Sequence, residues 1–282
     1  MYKLIYYFLI LFASYSSATY ITPLITYNSA PNNYKNISRI VVIADIHDDL
    51  FRFQKILQSA KIIDKQDSWI ADKTLVVQLG DQIDSKDNNN RNHRFRMIKY
   101  TEYLKHKANT KESDFVSLIG NHELMNIDKI KQHEILQHII SKRPIVFIAN
   151  NYLFCHGGFH TEHLNMLNNY DKTIKDLNEI WSKYVKDIHL NIDEIKLLDY
   201  LILNTQNSIL YNRKDQNDYE VFEYLDIEYS FIGHTTTNNI YLHNRVWHLD
   251  QFLHKAFDDK KYNYLDIVDG KIIIRSINYE EL

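Results

Sequence analysis

Apolar residues along this chain gather into short runs, and the most informative runs break off into polar residues of a restricted kind. Ile40-Val41-Val42-Ile43 is four apolar residues in a row, the pattern of a strand buried on both faces, and it ends in Ala44-Asp45-Ile46-His47-Asp48. A carboxylate and an imidazole two residues apart at a strand end can turn toward one point, and both are metal donors. The layout recurs. Residues 75–79 run into Gly80-Asp81-Gln82-Ile83-Asp84, and 115–119 into Gly120-Asn121-His122-Glu123. Residues 152–155 lead into His156-Gly157-Gly158, and 229–232 into Gly233-His234-Thr235. In α/β sheets ligands bind where loops converge at strand ends, so five such runs point to one shared site.

Between these runs the apolar spacing lengthens to that of helices. Leu50, Phe51, Phe53, Ile56 and Leu57 predict a helix packed on the first strands. After a polar loop at 85–94, Met97, Ile98, Tyr103 and Leu104 predict a second, and Ile127, Ile130, Ile135 and Ile139 predict one helix ending before Pro144. Residues 145–148 and 152–155 flank Ala149-Asn150-Asn151 as a hairpin. The stretch 160–203 reads as mostly helical, with Leu177, Ile180, Trp181 and Tyr184 on one buried face. Strands resume at 229–233 and 239–249, and Asp269-Gly270 marks a tight hairpin turn. This order predicts two β-sheets with helices on both sides.

Composition adds limits. A length of 282 residues suits one sizeable domain, and a formal net charge of -3 gives no basic footprint for nucleic acid. An anionic substrate must therefore be attracted locally. At the N-terminus, Lys3, the apolar residues 4–13 and the small residues up to Ala18 have the layout of a secretory signal cleaved after Ala18. That apolar run falls short of the roughly 20 residues of a membrane span. Residues 19–38, with Pro23, Pro31 and the glycosylation sequon Asn36-Ile37-Ser38, read as a polar arm ahead of a domain at 39–282. Cys155 is the single cysteine, so no internal disulfide can form, and its place at a strand end suits a buried, inert thiol. His133, His189, His243 and His254 match no motif. His160, His248 and Asp250 lie near motifs and rank as supporting candidates.

Asp-x-His, Gly-Asp-x-x-Asp, Gly-Asn-His-Glu, His-Gly-Gly and Gly-His-Thr, in this order over roughly residues 39–250, resemble the calcineurin-like metallophosphoesterases. His-Gly-Gly and Gly-Asn-His-Glu narrow the resemblance to the phosphoprotein phosphatases, most of all the Shewanella-like protein phosphatases, whose bacterial relatives are the symmetrical diadenosine tetraphosphate hydrolases. Gly-His-Thr-Thr, without the second histidine of many metallophosphoesterases, agrees with that branch. The resemblance implies a four-layer α/β/β/α sandwich of two mixed β-sheets flanked by helices. It implies a hydrolase of phosphomonoesters, in proteins or small molecules, that uses two metal ions to activate the attacking water. Asp45 and His47 would hold the first ion, Asp81 would bridge both, and Asn121, His156 and His234 would complete the second. This mixed donor set suits Mn, Fe or Zn better than Ca or Mg.

The resemblance also makes His122 the general acid, with Asp84 holding and charging its ring. Arg213, in Tyr211-Asn212-Arg213, resembles the family's phosphate clamp, whose planar fork can bond two oxygens. Three departures bear on substrate. Where relatives continue with Arg-Gly, this chain has Ser85-Lys86, so Lys86, Arg91 or Arg94 would have to replace a phosphate-binding arginine. Ala44 and Asp48 replace glycines, and Asp48 brings negative charge toward the metals. Serine/threonine protein phosphatase is the leading reading. A dinucleoside polyphosphate or nucleotide hydrolase, and a catalytically weak binding module, are the alternatives on the same fold.

Overall fold

The computed structural model describes Tyr34 and residues 37–84, 95–214, 219–251 and 261–278. The signal-like segment, most of the arm, Lys86, Arg91, Arg94 and His254 lie outside the described residues. Among those described, no helix is long and apolar enough to cross a membrane.

The chain opens as the run at 40–43 dictates. Strand β1 (Arg39–Ile43) pairs in parallel with β2 (Thr74–Gln78), which pairs in parallel with β3 (Asp114–Ser117). On the other side of β1 lies β9 (Lys261–Val268), antiparallel to it and to β10 (Lys271–Asn278). The β9–β10 turn is Asp269-Gly270, with φ values of 48° and 76°, the two left-handed residues that a type I′ hairpin requires. The second sheet orders β4 (Val146–Ala149), β5 (Tyr152–Cys155), β6 (Tyr229–Ile232), β8 (Val246–His248) and β7 (Tyr241–His243). Its β4–β5 and β7–β8 pairs are antiparallel, the rest parallel, so both sheets are mixed.

Alternation along the strands assembles the layers. Val42, Leu75, Val77 and Val116 point inward and meet Phe154 and Phe231 of the second sheet, whose rings stack at 5.0 Å. Val41, Ile43, Val76 and Phe115 point outward against Phe53, Ile56 and Leu57 of helix α1 (Leu50–Ser59) and Met97, Tyr100 and Leu104 of α2 (Arg96–Asn109). Beyond the second sheet, Val146, Leu153 and Cys155 pack on Leu177, Ile180 and Trp181 of α7 (Ile174–Val185). The result is the expected four-layer α/β/β/α sandwich. Burial pushes the Cys155 thiol up to about 12, which leaves it inert as expected.

Four details depart from the periodic reading. Phe51 is exposed under the Lys55 ammonium, because the sheet-facing stripe of α1 is Phe53, Ile56 and Leu57. Tyr184 stays half-buried at the rim of α7, with the Lys131 ammonium 4.1 Å from its ring centre. The single helix expected before Pro144 is three: α3 (Asn121–Met125), α4 (Ile127–Lys131) and α5 (Glu134–Ile140). Ile127, Ile130 and Ile139 are buried while Ile135 faces solvent, because the breaks at Asn126 and His133 reset the helical phase. The arm is not polar throughout. Tyr34 and Ile37 pack on the core between the sheets, with the Tyr34 hydroxyl 2.8 Å from Asp114 Oδ2.

Candidate metal centre

Backbone bonds beyond the strand ends draw the ligand-bearing loops together. The amides of Ile46 and His47 both donate to the Asp81 carbonyl at 3.0 Å, and Gly233 N donates to His156 O at 2.9 Å. His47, Asp81, Asp84 and His234 all turn into the left-handed region, with φ between 48° and 66°, which aims each side chain off its strand direction. Two glycines permit the closeness. A Cβ at Gly120 would lie 2.2 Å from Asp81 Oδ1, and one at Gly233 would lie 2.2 Å from Asp45 Oδ1.

Asp81 sits at the centre. Its Oδ1 accepts the His122 amide at 2.9 Å and lies 3.3 Å from His156 Nε2, while Oδ2 lies 3.9 Å from His47 Nε2 and 3.8 Å from His122 Nε2. One carboxylate oxygen thus faces each of two donor groups. The donor atoms of His47, Asp81 and His122 lie within 4.8 Å of one another, as do those of Asp81, His156 and His234. Asn121 joins the second group through Oδ1, 3.0 Å from His156 Nε2.

The grouping of Asp45 differs from expectation. Instead of pairing with His47, its carboxylate accepts the His234 amide, 3.2 Å from both oxygens, and lies 4.0 Å from His156 Nδ1. The bare Cα of Gly233 allows that loop to close onto Asp45, and the third donor beside His47 and Asp81 is His122.

The donor set fits metal ions. Burial pushes His47 down to about 4, against the pull of Asp81, and burial together with His156 and Arg213 pushes His234 down to about 3. Both rings therefore keep a free lone pair at neutral pH. The buried His234 Nε2 has no protein hydrogen-bond partner among the described residues. Carbonyls fix two further rings from behind: His47 Nδ1 is 3.3 Å from Ile83 O and His156 Nδ1 is 2.8 Å from Leu79 O, which turns each Nε2 inward. Burial would lower His156, but Asp81 and Asp45 outweigh it and hold the ring up at about 10. Burial would raise Asp81, but His156, His122 and His47 hold it well below the usual carboxylate range.

His122 behaves in the opposite way to His47 and His234. Burial lowers it, yet the Asp84 hydrogen bond and the charges of Asp81 and Glu123 prevail, so its pKa is raised. Its Nδ1 lies 3.2 Å from Asp84 Oδ2, and Asn126 Nδ2 donates to the same oxygen at 2.5 Å. Arg213 Nη1 donates to His234 O at 2.8 Å, which places the guanidinium beside the metal donors. Asp48 is less negative than its sequence position suggests. Burial pushes it up to about 7, with Arg96 opposing, so it is only partly ionised near neutral pH.

Two contributors, Glu123 and Arg143, had no role in the sequence reading, and Asp250, a supporting candidate there, gains one. Glu123 is fully buried and accepts the amides of Asp81, Gln82 and Gly120, each at 2.9 Å, so one carboxylate splints two ligand loops. Buried Arg143 continues the brace, donating to Gln82 Oε1, and to Ile98 O and Thr101 Oγ1 at 3.1 and 2.9 Å. Asp250 is buried close enough to Asp45 to raise it, second only to burial itself. The motif position of Glu123 was a usable signal; Arg143 lies far off in sequence and gave none. Of the other candidates, His248 stacks on Tyr241 at 4.5 Å, and His160 caps α6 (Thr161–Asn169), its amide donating to His163 Nδ1 at 2.9 Å.

A sequence profile described as calcineurin-like phosphoesterase matches residues 38–238. Shewanella-like protein phosphatase 1 of Plasmodium berghei (strain Anka) is 26% identical over 288 residues, covering 86% of this chain and 75% of that protein. Shewanella-like protein phosphatase 2 of Arabidopsis thaliana is 32% identical over 95 residues, 34% of this chain and 23% of that one. The crystal structure of a cold-active protein-tyrosine phosphatase from a psychrophilic Shewanella species superposes with a TM-score of 0.69 at 16% identity, over 86% of this chain and 80% of its own. A Saccharomyces cerevisiae protein serine/threonine phosphatase superposes with a TM-score of 0.53 at 14% identity, over 88% and 82%. At these identities the two structures establish the fold.

Proposed function

The chain belongs to the calcineurin-like phosphoesterase family, and from that premise we propose that it releases phosphate from phosphoserine or phosphothreonine in proteins, using two metal ions. The observation that carries this reading is Asp81, with one oxygen toward each donor group. Asp81 and His47 would hold one ion, and Asp81, Asn121, His156 and His234 the other, with Asp45 on the His156 and His234 side. Manganese, iron or zinc suits the mixed nitrogen and oxygen donors. Two cations held there would supply positive charge for the phosphoryl oxygens and a water whose pKa falls from about 15.7 toward 7.

The remaining work falls to side chains. His122, whose pKa is raised, gives a proton to the leaving oxygen, while Asp84, held by Asn126, keeps the ring oriented and favours its charged form. Its raised pKa separates it from the neutral ligands His47 and His234, although its Nε2 also faces Asp81. Arg213, which with Asn121 and His234 lines a cavity of about 560 Å³, takes a phosphoryl oxygen pair. Glu123 and Arg143 keep the ligand loops from moving apart.

The names of the relatives support a protein substrate, and the sequence resemblance keeps dinucleoside polyphosphates in contention. A panel of phosphoserine, phosphothreonine and phosphotyrosine peptides with diadenosine tetraphosphate decides between them. Preferred release from the serine or threonine peptides is expected; preferred cleavage of the dinucleotide would overturn the protein substrate. We also propose export through a secretory route, on the pattern of residues 1–18. The mature chain should then begin at Thr19, and an intact Met1 on protein recovered from its host would refute it.

A further inference from the structure

The cavity beside the metal donors has an asymmetric lining. Asn121 and His234 form its metal end, Tyr211 stands beside them with its ring 6.1 Å from that of His234, and Arg213 and Lys214 follow in succession. Thr205 and Gln206 supply neutral polar groups, and no carboxylate lines the cavity among the described residues. The cavity therefore holds one cation more than a single phosphoryl group needs, since Arg213 is already fixed beside His234.

Lys214 is held in a way that suits exchange. Its Nζ lies 3.1 Å from Glu162 Oε1, near the start of α6, and the two side chains are 54% and 38% exposed. Half-exposed pairs of this kind are weak, because water solvates both partners well. An anionic group entering the cavity can take Lys214 from Glu162 at little cost.

We propose that Lys214, released from Glu162, binds a carboxylate next to the scissile phosphate, so that the site prefers phosphopeptides with Asp or Glu beside the phosphorylated residue. This rests on the phosphoprotein reading above and adds a specificity residue to it.

The test is a ratio of kcat/KM for two phosphoserine peptides, one with acidic and one with neutral flanks, in the full chain with metal supplied. Lys214→Gln should lower the acidic-to-neutral ratio about two- to fivefold, the scale of an exposed ion pair. Glu162→Gln should raise it, and should do nothing in the Lys214→Gln background, since Glu162 acts only through the lysine. Both changes should shrink in high salt. A ratio that stays constant in both variants overturns the proposal, as does a shift confined to diadenosine tetraphosphate cleavage. No release from either peptide by the unaltered chain overturns the parent reading along with it.

Discussion

Asp81→Asn is expected to lower phosphate release by at least about 10³-fold at saturating metal, beyond the roughly 10- to 100-fold typical of outer partners of a metal site. The carboxamide has nearly the same shape, so it tests charge and donor chemistry rather than packing. Asp81 presents Oδ1 to His156 and Oδ2 to His47 and His122. An amide keeps one oxygen and turns an N–H₂ toward the other group, so one donor set loses its anion whichever way the side chain flips. Folding should survive, because the loop is still held by Glu123 through the amides of Asp81 and Gln82. Kinetics at several metal concentrations, with circular dichroism as the folding control, check this. Activity within tenfold of the unaltered chain would remove Asp81 from the centre of the account.

His122→Asn should cost about 10² to 10⁴ in kcat on esters with poor leaving groups, the usual worth of positioned proton transfer. The loss should narrow on aryl phosphates, whose leaving oxygen needs little protonation. The pH profile gives an independent check. His122 must be protonated to act, and its folded pKa is raised, so activity is present below that pKa and falls as pH rises through it. Asp84→Asn removes the largest raising influence, the 3.2 Å hydrogen bond, and should move the alkaline limb to lower pH. A limb that does not move in Asp84→Asn assigns it to another group. Equal losses on aryl and alkyl esters in His122→Asn would make His122 a ligand, a role its place beside His47 and Asp81 would then explain.

What the sequence could reveal follows from the range of the forces involved. The run Ile40–Ile43 and its counterparts are local signals of burial, and each ends in its donors, so strand identity and the convergence of Asp45, Asp81, Asn121, His156 and His234 could be read together. The Asp269-Gly270 turn was legible for the same reason, since its chemistry is confined to two residues. Legibility failed where tertiary contacts decide. Ile135 keeps helical spacing with Ile139, yet the break at His133 turns it to solvent. Arg143 and Gln82 are 61 positions apart, and only packing puts them together. Glu162 and Lys214 are 52 apart, and neither carried a motif. Which donors group with which ion is also a tertiary matter. Asp45 follows β1, as His47 does, but the close approach of Gly233 draws it toward His234 and His156.

The most direct test of the dimetal centre is a titration of the metal-stripped chain with manganese while phosphate release is followed. Activity that is absent at the start and rises to a break at two equivalents per chain is the expected result. Full activity in the stripped protein, or two tightly bound ions with no release from any phosphoester, would contradict the account.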